Sequence, residues 1–185
     1  ATGAMRFIAD RLLSSGCPPL TGPPRPVDAA AAPLRCMADD FAAPLSGRVV
    51  LVTGASSGIG RAIAIAAARA GAAVALTYRE NEDGARAVEH ELTASGRRAG
   101  VFRLDLTDVH SIRAVGRAAH DAFRRIDAWI NNAGADILTG PAESFSTLDK
   151  LDLLLRVDLR GTMVASWEAA EMLGAQPDGG VIINM

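Results

Sequence analysis

"VVLVTGASSGIGR", residues 49–61, decides the fold. Four apolar β-formers run into a turn carrying Gly54, Gly58 and Gly60, and an alanine-rich segment follows at once. A continuous apolar run is the pattern of a strand buried on both faces. Each glycine has a separate physical task. Gly54 permits the tight turn, Gly58 removes a side chain where backbone must approach a ligand, and Gly60 lets helix and strand pack closely. Free N–H groups at the start of the helix, with Ser56 and Ser57 as further donors, favour a diphosphate. The bland alternative is a glycine-rich corner with no ligand.

Outward from this corner, strand-like and helix-like segments alternate. Strands are expected at 48–53, 73–78, 100–104, 126–131 and 179–185. The first helix reads with Ile59, Ile63, Ala66, Ala67 and Ala70 on one face. The second carries Ala85, Val88 and Leu92, and the third Ile112, Val115, Ala119 and Phe123. A long helix over about 147–173 is expected to bury Leu148, Leu151, Leu155, Leu159 and Met163. Such alternation implies right-handed βαβ units. The fold class is therefore α/β, a Rossmann-like doubly wound parallel sheet with helices on both faces. In such sheets ligands bind beyond the carboxyl ends of the strands.

Bulk properties narrow the function classes. The chain has 185 residues, 49% apolar and 22% charged, with a formal net charge of −2. That balance suits a globular domain and offers no broad positive field for nucleic acid or an anionic membrane surface. No apolar run approaches the roughly 20 residues that cross a bilayer. Two cysteines, Cys17 and Cys36, make no disulfide framework and fit a reducing, cytoplasmic compartment. His90, His110 and His120 have no metal-ligand spacing. Trp129 and Trp167 read as core or interface residues. Residues 1–44 hold seven of the nine prolines. They read as a disordered Pro/Ala-rich leader, or as translated sequence upstream of a start at Met37. The dinucleotide-binding unit is expected over 45–185.

The tip of the second strand bears on which dinucleotide fits. An acid about 20 positions after the glycines would bind a ribose 2′-hydroxyl and repel a 2′-phosphate. Here the tip reads Thr77-Tyr78-Arg79, and the acid, Glu80, comes one place later. Arg79 suits a forked pairing with a 2′-phosphate. The expectation is NADP, with NAD tolerated.

These residues resemble the short-chain dehydrogenase/reductase family. "TGASSGIG" (53–60) is similar to its T-G-x-x-x-G-x-G motif and "NNAG" (131–134) to its N-N-A-G. "LDLT" (104–107) resembles its D-x-T element, and "VDLRGT" (157–162) the stretch V-N-L-x-G-T. "TYREN" and "GVIINM" look most like glucose 1-dehydrogenase and related sugar or polyol dehydrogenases, though acyl-carrier-protein ketoreductases share most of this. The resemblance implies hydride transfer between a nicotinamide and an alcohol or carbonyl substrate, and a homo-oligomer when complete. It also implies that Gly54, Ser56, Ser57, Ile59 and Gly60 line the pyrophosphate side. Asp105 would accept from the adenine amino group beside the Leu106 backbone. Asn132, Ala133 and Gly134 would border the ribose and brace the sheet.

The family's chemistry needs a tyrosine acid/base, a lysine four residues on to lower its pKa, and a serine to orient substrate. Tyr78 and Lys150 are the chain's only tyrosine and lysine and do not have that spacing. The resemblance places the tyrosine, lysine and serine beyond Met185, so the fold is expected to be cut after the fifth strand and no catalytic residue is assigned. Asp158 stands where the family's helix asparagine would be, and an ionised carboxylate cannot donate a hydrogen bond. The expectation is a chain that folds poorly and turns over no alcohol by itself. The rival reading is a non-catalytic nucleotide-binding module.

Overall fold

The computed structural model describes residues 43–185, which belong to one compact unit. The leader expected over 1–44 lies outside the described residues, apart from Ala43 and Pro44. In chain order the elements are β1 (Val49–Val52), α1 (Gly58–Arg69), β2 (Ala73–Tyr78), α2 (Glu82–Ala94), β3 (Ala99–Arg103), α3 (Val109–Phe123) and β4 (Ala128–Asn131). A 3₁₀ turn (Gly140–Ser144) leads to α4 (Thr147–Leu154), a π-helical segment (Leu155–Gly161), α5 (Thr162–Gly174) and β5 (Val181–Asn184).

All five strands are parallel, in the order β3-β2-β1-β4-β5. β1 is therefore central, and its four residues are buried because both faces are covered. Val50 and Val52 join Ala64, Ala67, Ala68 and Val88 under α1 and α2. Val49 and Leu51 join Ile112, Val115, Trp129, Ala165 and Ala169 under α3 and α5. This is the period-2 alternation of a strand inside a three-layer sandwich. β5 pairs only with β4 and leaves Val181 and Ile183 exposed, an open apolar edge. Among the described residues no helix is long and apolar enough to cross a membrane.

Two helix faces differ from expectation. On α1, Ile59 and Ala66 are exposed, whereas Gly60, Ala64, Ala67 and Ala68 are buried. The glycine corner, rather than side-chain bulk, sets that phase: a Cβ at Gly60 would lie 2.2 Å from Gly54 O. The long helix is continuous from Thr147 to Gly174 but has a π-helical middle. Its expected stripe faces outward, with Leu148 71% exposed and Leu151, Leu155, Leu159 and Met163 also exposed, and Trp167, read as a core or interface residue, is 65% exposed. The buried row is Val157, Gly161, Ala165, Ala169 and Leu173. Small residues win this face because the helix lies close to its neighbours: a Cβ at Gly161, the last residue of the π-helical segment, would come 2.8 Å from O of Leu106 in the loop after β3.

Asp127 ties the amino ends of the central strands together. Arg48 Nη1 donates to its Oδ1 at 2.8 Å, Val49 N to Oδ2 at 2.8 Å, and Arg125 Nε to Oδ2 at 2.9 Å. Partial burial pushes its carboxyl up, but the bonds from Arg125, Arg48 and the Val49 amide outweigh this and hold it below the usual carboxylate range. A carboxylate held low in the folded state stabilises above its unfolded value near ~3.9. That contribution disappears as pH falls through the lower folded value. Asp127→Asn is expected to lower stability at neutral pH by about 1–3 kcal/mol. The difference from the parent should narrow as pH falls below the unfolded value and through the lower folded one. Denaturant melts across the pH range check this, and a gap independent of pH would contradict it.

Candidate functional site

One cleft of about 760 Å³ opens at the carboxyl ends of β1 to β4, where the sheet order reverses between β1 and β4. Doubly wound sheets bind ligands at such a switch point. The β1–α1 corner supplies Gly54, Ser56, Ser57, Gly58, Ile59 and Gly60. β2 and its end supply Thr77, Tyr78, Arg79 and Glu80, and the end of β3 supplies Leu104, Asp105 and Leu106. Asn132, Ala133, Gly134 and Asp136 follow β4, and Thr139, Pro141, Phe145, Leu153 and Val157 close the far side. Every sequence-predicted binding residue lines this one cleft.

The corner is built for close approach. Gly54 and Gly58 have φ of +67° and +55°, left-handed values that suit glycine. A Cβ at Gly58 would meet nothing within 4 Å, so that side of the turn is open. Among the described residues, the three other α-helices that start from loops are capped by the side chains of Asn81, Asp108 and Ser146. Ser57 makes no such bond, and the first turn of α1 holds no acid. Amides and a helix dipole left without a protein anion are matched to an external one, so the residues present fit a dinucleotide's diphosphate.

The walls are locked to the corner. Asn132 and Ala133 both donate their N–H groups to Thr53 Oγ1 at 2.9 Å. Asn132 Nδ2 donates to Thr53 O at 3.0 Å, and Gly54 N donates to Thr77 Oγ1 at 3.2 Å. Thr53 and Thr77 are buried. Sequence reading missed both threonines, although their place at strand ends next to the glycine turn was a usable signal.

The adenosine side is charged. Asp105 Oδ1 accepts from Thr107 N at 2.8 Å and Thr107 Oγ1 at 2.7 Å. Desolvation pushes the Asp105 carboxyl up, but the Thr107 bonds and nearby Arg79 and Arg103 hold it below the usual carboxylate range. Arg79 Nη2 pairs with Glu80 Oε1 at 2.7 Å. Tyr78 is not a proton donor tuned for neutral pH. A hydrogen bond to Glu82, desolvation and the Glu82 charge push its phenol above its ordinary value of about 10.

Asp158 is exposed and bonds to a residue that lines the cleft. It sits on the π-helical segment, and its Oδ1 accepts from Ala135 N at 2.7 Å. A π-helical turn inside an α-helix often marks a functional position. Sequence periodicity could not show it. Asp136 caps the next loop, accepting from Leu138 N, Thr139 N and Thr139 Oγ1. Among the described residues no group of three His, Cys, Asp or Glu side chains is placed to hold a metal.

Comparison with known proteins agrees with this geometry. The chain is 38% identical over 146 residues to a D-threitol dehydrogenase of Mycolicibacterium smegmatis, covering 79% of this chain and 55% of that one. It is 35% identical over 141 residues to an L-rhamnose 1-dehydrogenase (NAD(P)(+)) of Sphingomonas sp., covering 75% and 54%. A crystal structure of a short chain dehydrogenase from Burkholderia cenocepacia in complex with NADP superposes with a TM-score of 0.66 at 39% identity, covering 76% of this chain and 55% of that one. The chain thus spans about half the length of the curated relatives it matches. The family model described as short chain dehydrogenase matches residues 48–185, and on that match the chain belongs to the short-chain dehydrogenase family.

Proposed function

We propose that the cleft holds a nicotinamide dinucleotide, NADP with NAD tolerated. The whole protein is then an NAD(P)-dependent oxidoreductase acting on an alcohol or carbonyl group of a small molecule. The observation that carries this reading is the uncapped first turn of α1, opening on a cleft whose other wall bears Arg79. The Burkholderia relative's NADP and the NAD(P)(+) of the rhamnose enzyme support it. The threitol and rhamnose enzymes favour a sugar or polyol as substrate. The two cysteines suit a cytoplasmic setting.

In this reading Gly54, Ser56, Ser57, Ile59 and Gly60 take the diphosphate, and Arg79 takes the 2′-phosphate. Asp105 Oδ2 accepts from the adenine amino group, since both Thr107 bonds go to Oδ1. A carboxyl held low stays ionised, and so remains an acceptor, at neutral pH. Leu106 lies beside it, and Asn132, Ala133 and Gly134 border the ribose. When bound, the cofactor supplies the hydride acceptor or donor. The tyrosine–lysine pair and serine that the family's chemistry calls for are assigned to the remainder of the relatives' length. Asp158 holds the loop after β4 through Ala135 N–H instead of relaying a proton.

Self-association belongs to the same reading. Leu148, Leu151, Leu155, Leu159, Met163 and Trp167 are an exposed apolar set running from α4 through the π-helical segment into α5, more than isolated surface residues. A row along one helix can meet its own copy across a two-fold axis, so a second copy is its occupant.

Three outcomes are expected. Arg79→Ala should lower the NADPH-to-NADH affinity ratio by about 10-fold or more, read by calorimetry; an unchanged ratio removes Arg79 from the site. Gly60→Ala, whose Cβ meets backbone at 2.2 Å, should weaken binding of both dinucleotides and lower stability by about 1–3 kcal/mol. Normal binding by a fully stable Gly60→Ala protein would show the corner tolerates a side chain there. Replacing Leu155 and Leu159 together by Glu should reduce the mass measured by light scattering to that of a monomer. Because both side chains are exposed, the melting free energy of the monomer should move by no more than about 0.5 kcal/mol per site.

A further inference from the structure

We propose that Glu80 sets the choice between the two dinucleotides by occupying the arginine that a 2′-phosphate needs. The inference rests on the nucleotide reading of the cleft. Neighbouring residues on a strand point to opposite faces. β2 ends at Tyr78, however, and the bend over Arg79 and Glu80 turns both side chains together, with Arg79 Nη2 2.7 Å from Glu80 Oε1. Both residues line the cleft.

The surroundings leave this pair able to switch. Arg103, paired in register with Tyr78 on β3, donates from Nε to Arg79 O at 3.4 Å. The backbone of Arg79 is therefore tethered, while its guanidinium, 47% exposed, is held only by Glu80 among the described residues. The other nearby charges are engaged elsewhere, since Arg86 binds Glu82 and Glu89. Asp105, near enough for the Arg79 charge to help hold its carboxyl low, is bonded to Thr107.

Two states follow. In the paired state Glu80 presents a carboxylate beside a neutralised guanidinium, which suits a ribose 2′-hydroxyl donor. In the opened state Arg79 makes forked bonds to a dianionic phosphate and Glu80, 77% exposed, turns into water. Breaking an exposed pair costs a binding constant at most about 5-fold. Glu80 thus discounts NADP without excluding it, and the chain accepts both cofactors because the competing interaction is weak.

The test is titration of NADPH and NADH into the full chain and into Glu80→Gln, Arg79→Ala and the double variant, each with a thermal melt to confirm folding. Glu80→Gln should raise the NADPH-to-NADH affinity ratio about 3- to 5-fold. In the Arg79→Ala background the same change should move the ratio by less than about 2-fold. No rise in the single variant overturns the inference, as does an equal rise in both backgrounds, which would indicate simple repulsion between Glu80 and the phosphate. Failure of the parent chain to bind either dinucleotide overturns the nucleotide reading itself, and this inference with it.

Discussion

The contact between Gly60 and the Gly54 carbonyl organises the rest of this structure. A helix can start directly above the last turn of a central strand only if the residue over that turn has no side chain. Here a single added carbon would lie 2.2 Å from one backbone oxygen and 2.6 Å from Asn132 Nδ2. The same carbonyl region is gripped from the side, because Asn132 donates to both Thr53 O and Gly54 O. Thr53 Oγ1 receives two amides from the end of β4, and Thr77 Oγ1 receives the Gly54 amide from β1. Three strand ends thus meet at one glycine turn. A cleft wall assembled this way is rigid before any ligand arrives, which limits the ordering cost of binding.

Charge is distributed to match. The open end of α1 is left positive by the absence of a cap or acid, whereas the next helices spend a side chain on each of their first turns. Around the second and third strand ends the charges alternate, Arg79 with Glu80, Arg103 behind them and Asp105 opposite. One half of the cleft therefore carries the positive end of a helix, and the other carries side chains of both charges.

Much of this was legible in the residues, and what was not has a common cause. β2 was read at its observed limits because a continuous apolar run between glycine and charge has one interpretation. The α3 face of Ile112, Val115, Ala119 and Phe123 was legible because its bulky residues are also its buried ones. The cleft residues were legible because glycine and strand-end positions carry backbone meaning beyond hydropathy. The errors fall where small residues compete with large ones. On α1 the sheet takes Gly60, Ala64, Ala67 and Ala68 in preference to Ile59, and on the long helix it takes Gly161, Ala165 and Ala169 in preference to leucines. A hydrophobic period weights side chains by transfer energy, yet a helix lying close to a sheet is selected by the volume it does not have. The π-helical turn and the Asp158–Ala135 bond were invisible for another reason. Both depend on backbone geometry that no side-chain pattern encodes.

The same small-residue face links the cleft to the outer surface. Gly161 lets the helix settle against Leu106, where a Cβ would touch both the Leu106 side chain and its carbonyl at 2.8 Å. Leu106 in turn lines the cleft beside Asp105. Seating that helix on its glycine and alanines obliges the leucines at 148, 151, 155 and 159 to face outward, since one helix cannot direct both rows at the sheet. The tight wall and the apolar outer row are therefore two results of one packing choice. A bulkier residue at Gly161 or Ala165 would lift the helix, loosen the Leu106 wall and tilt the outer row together.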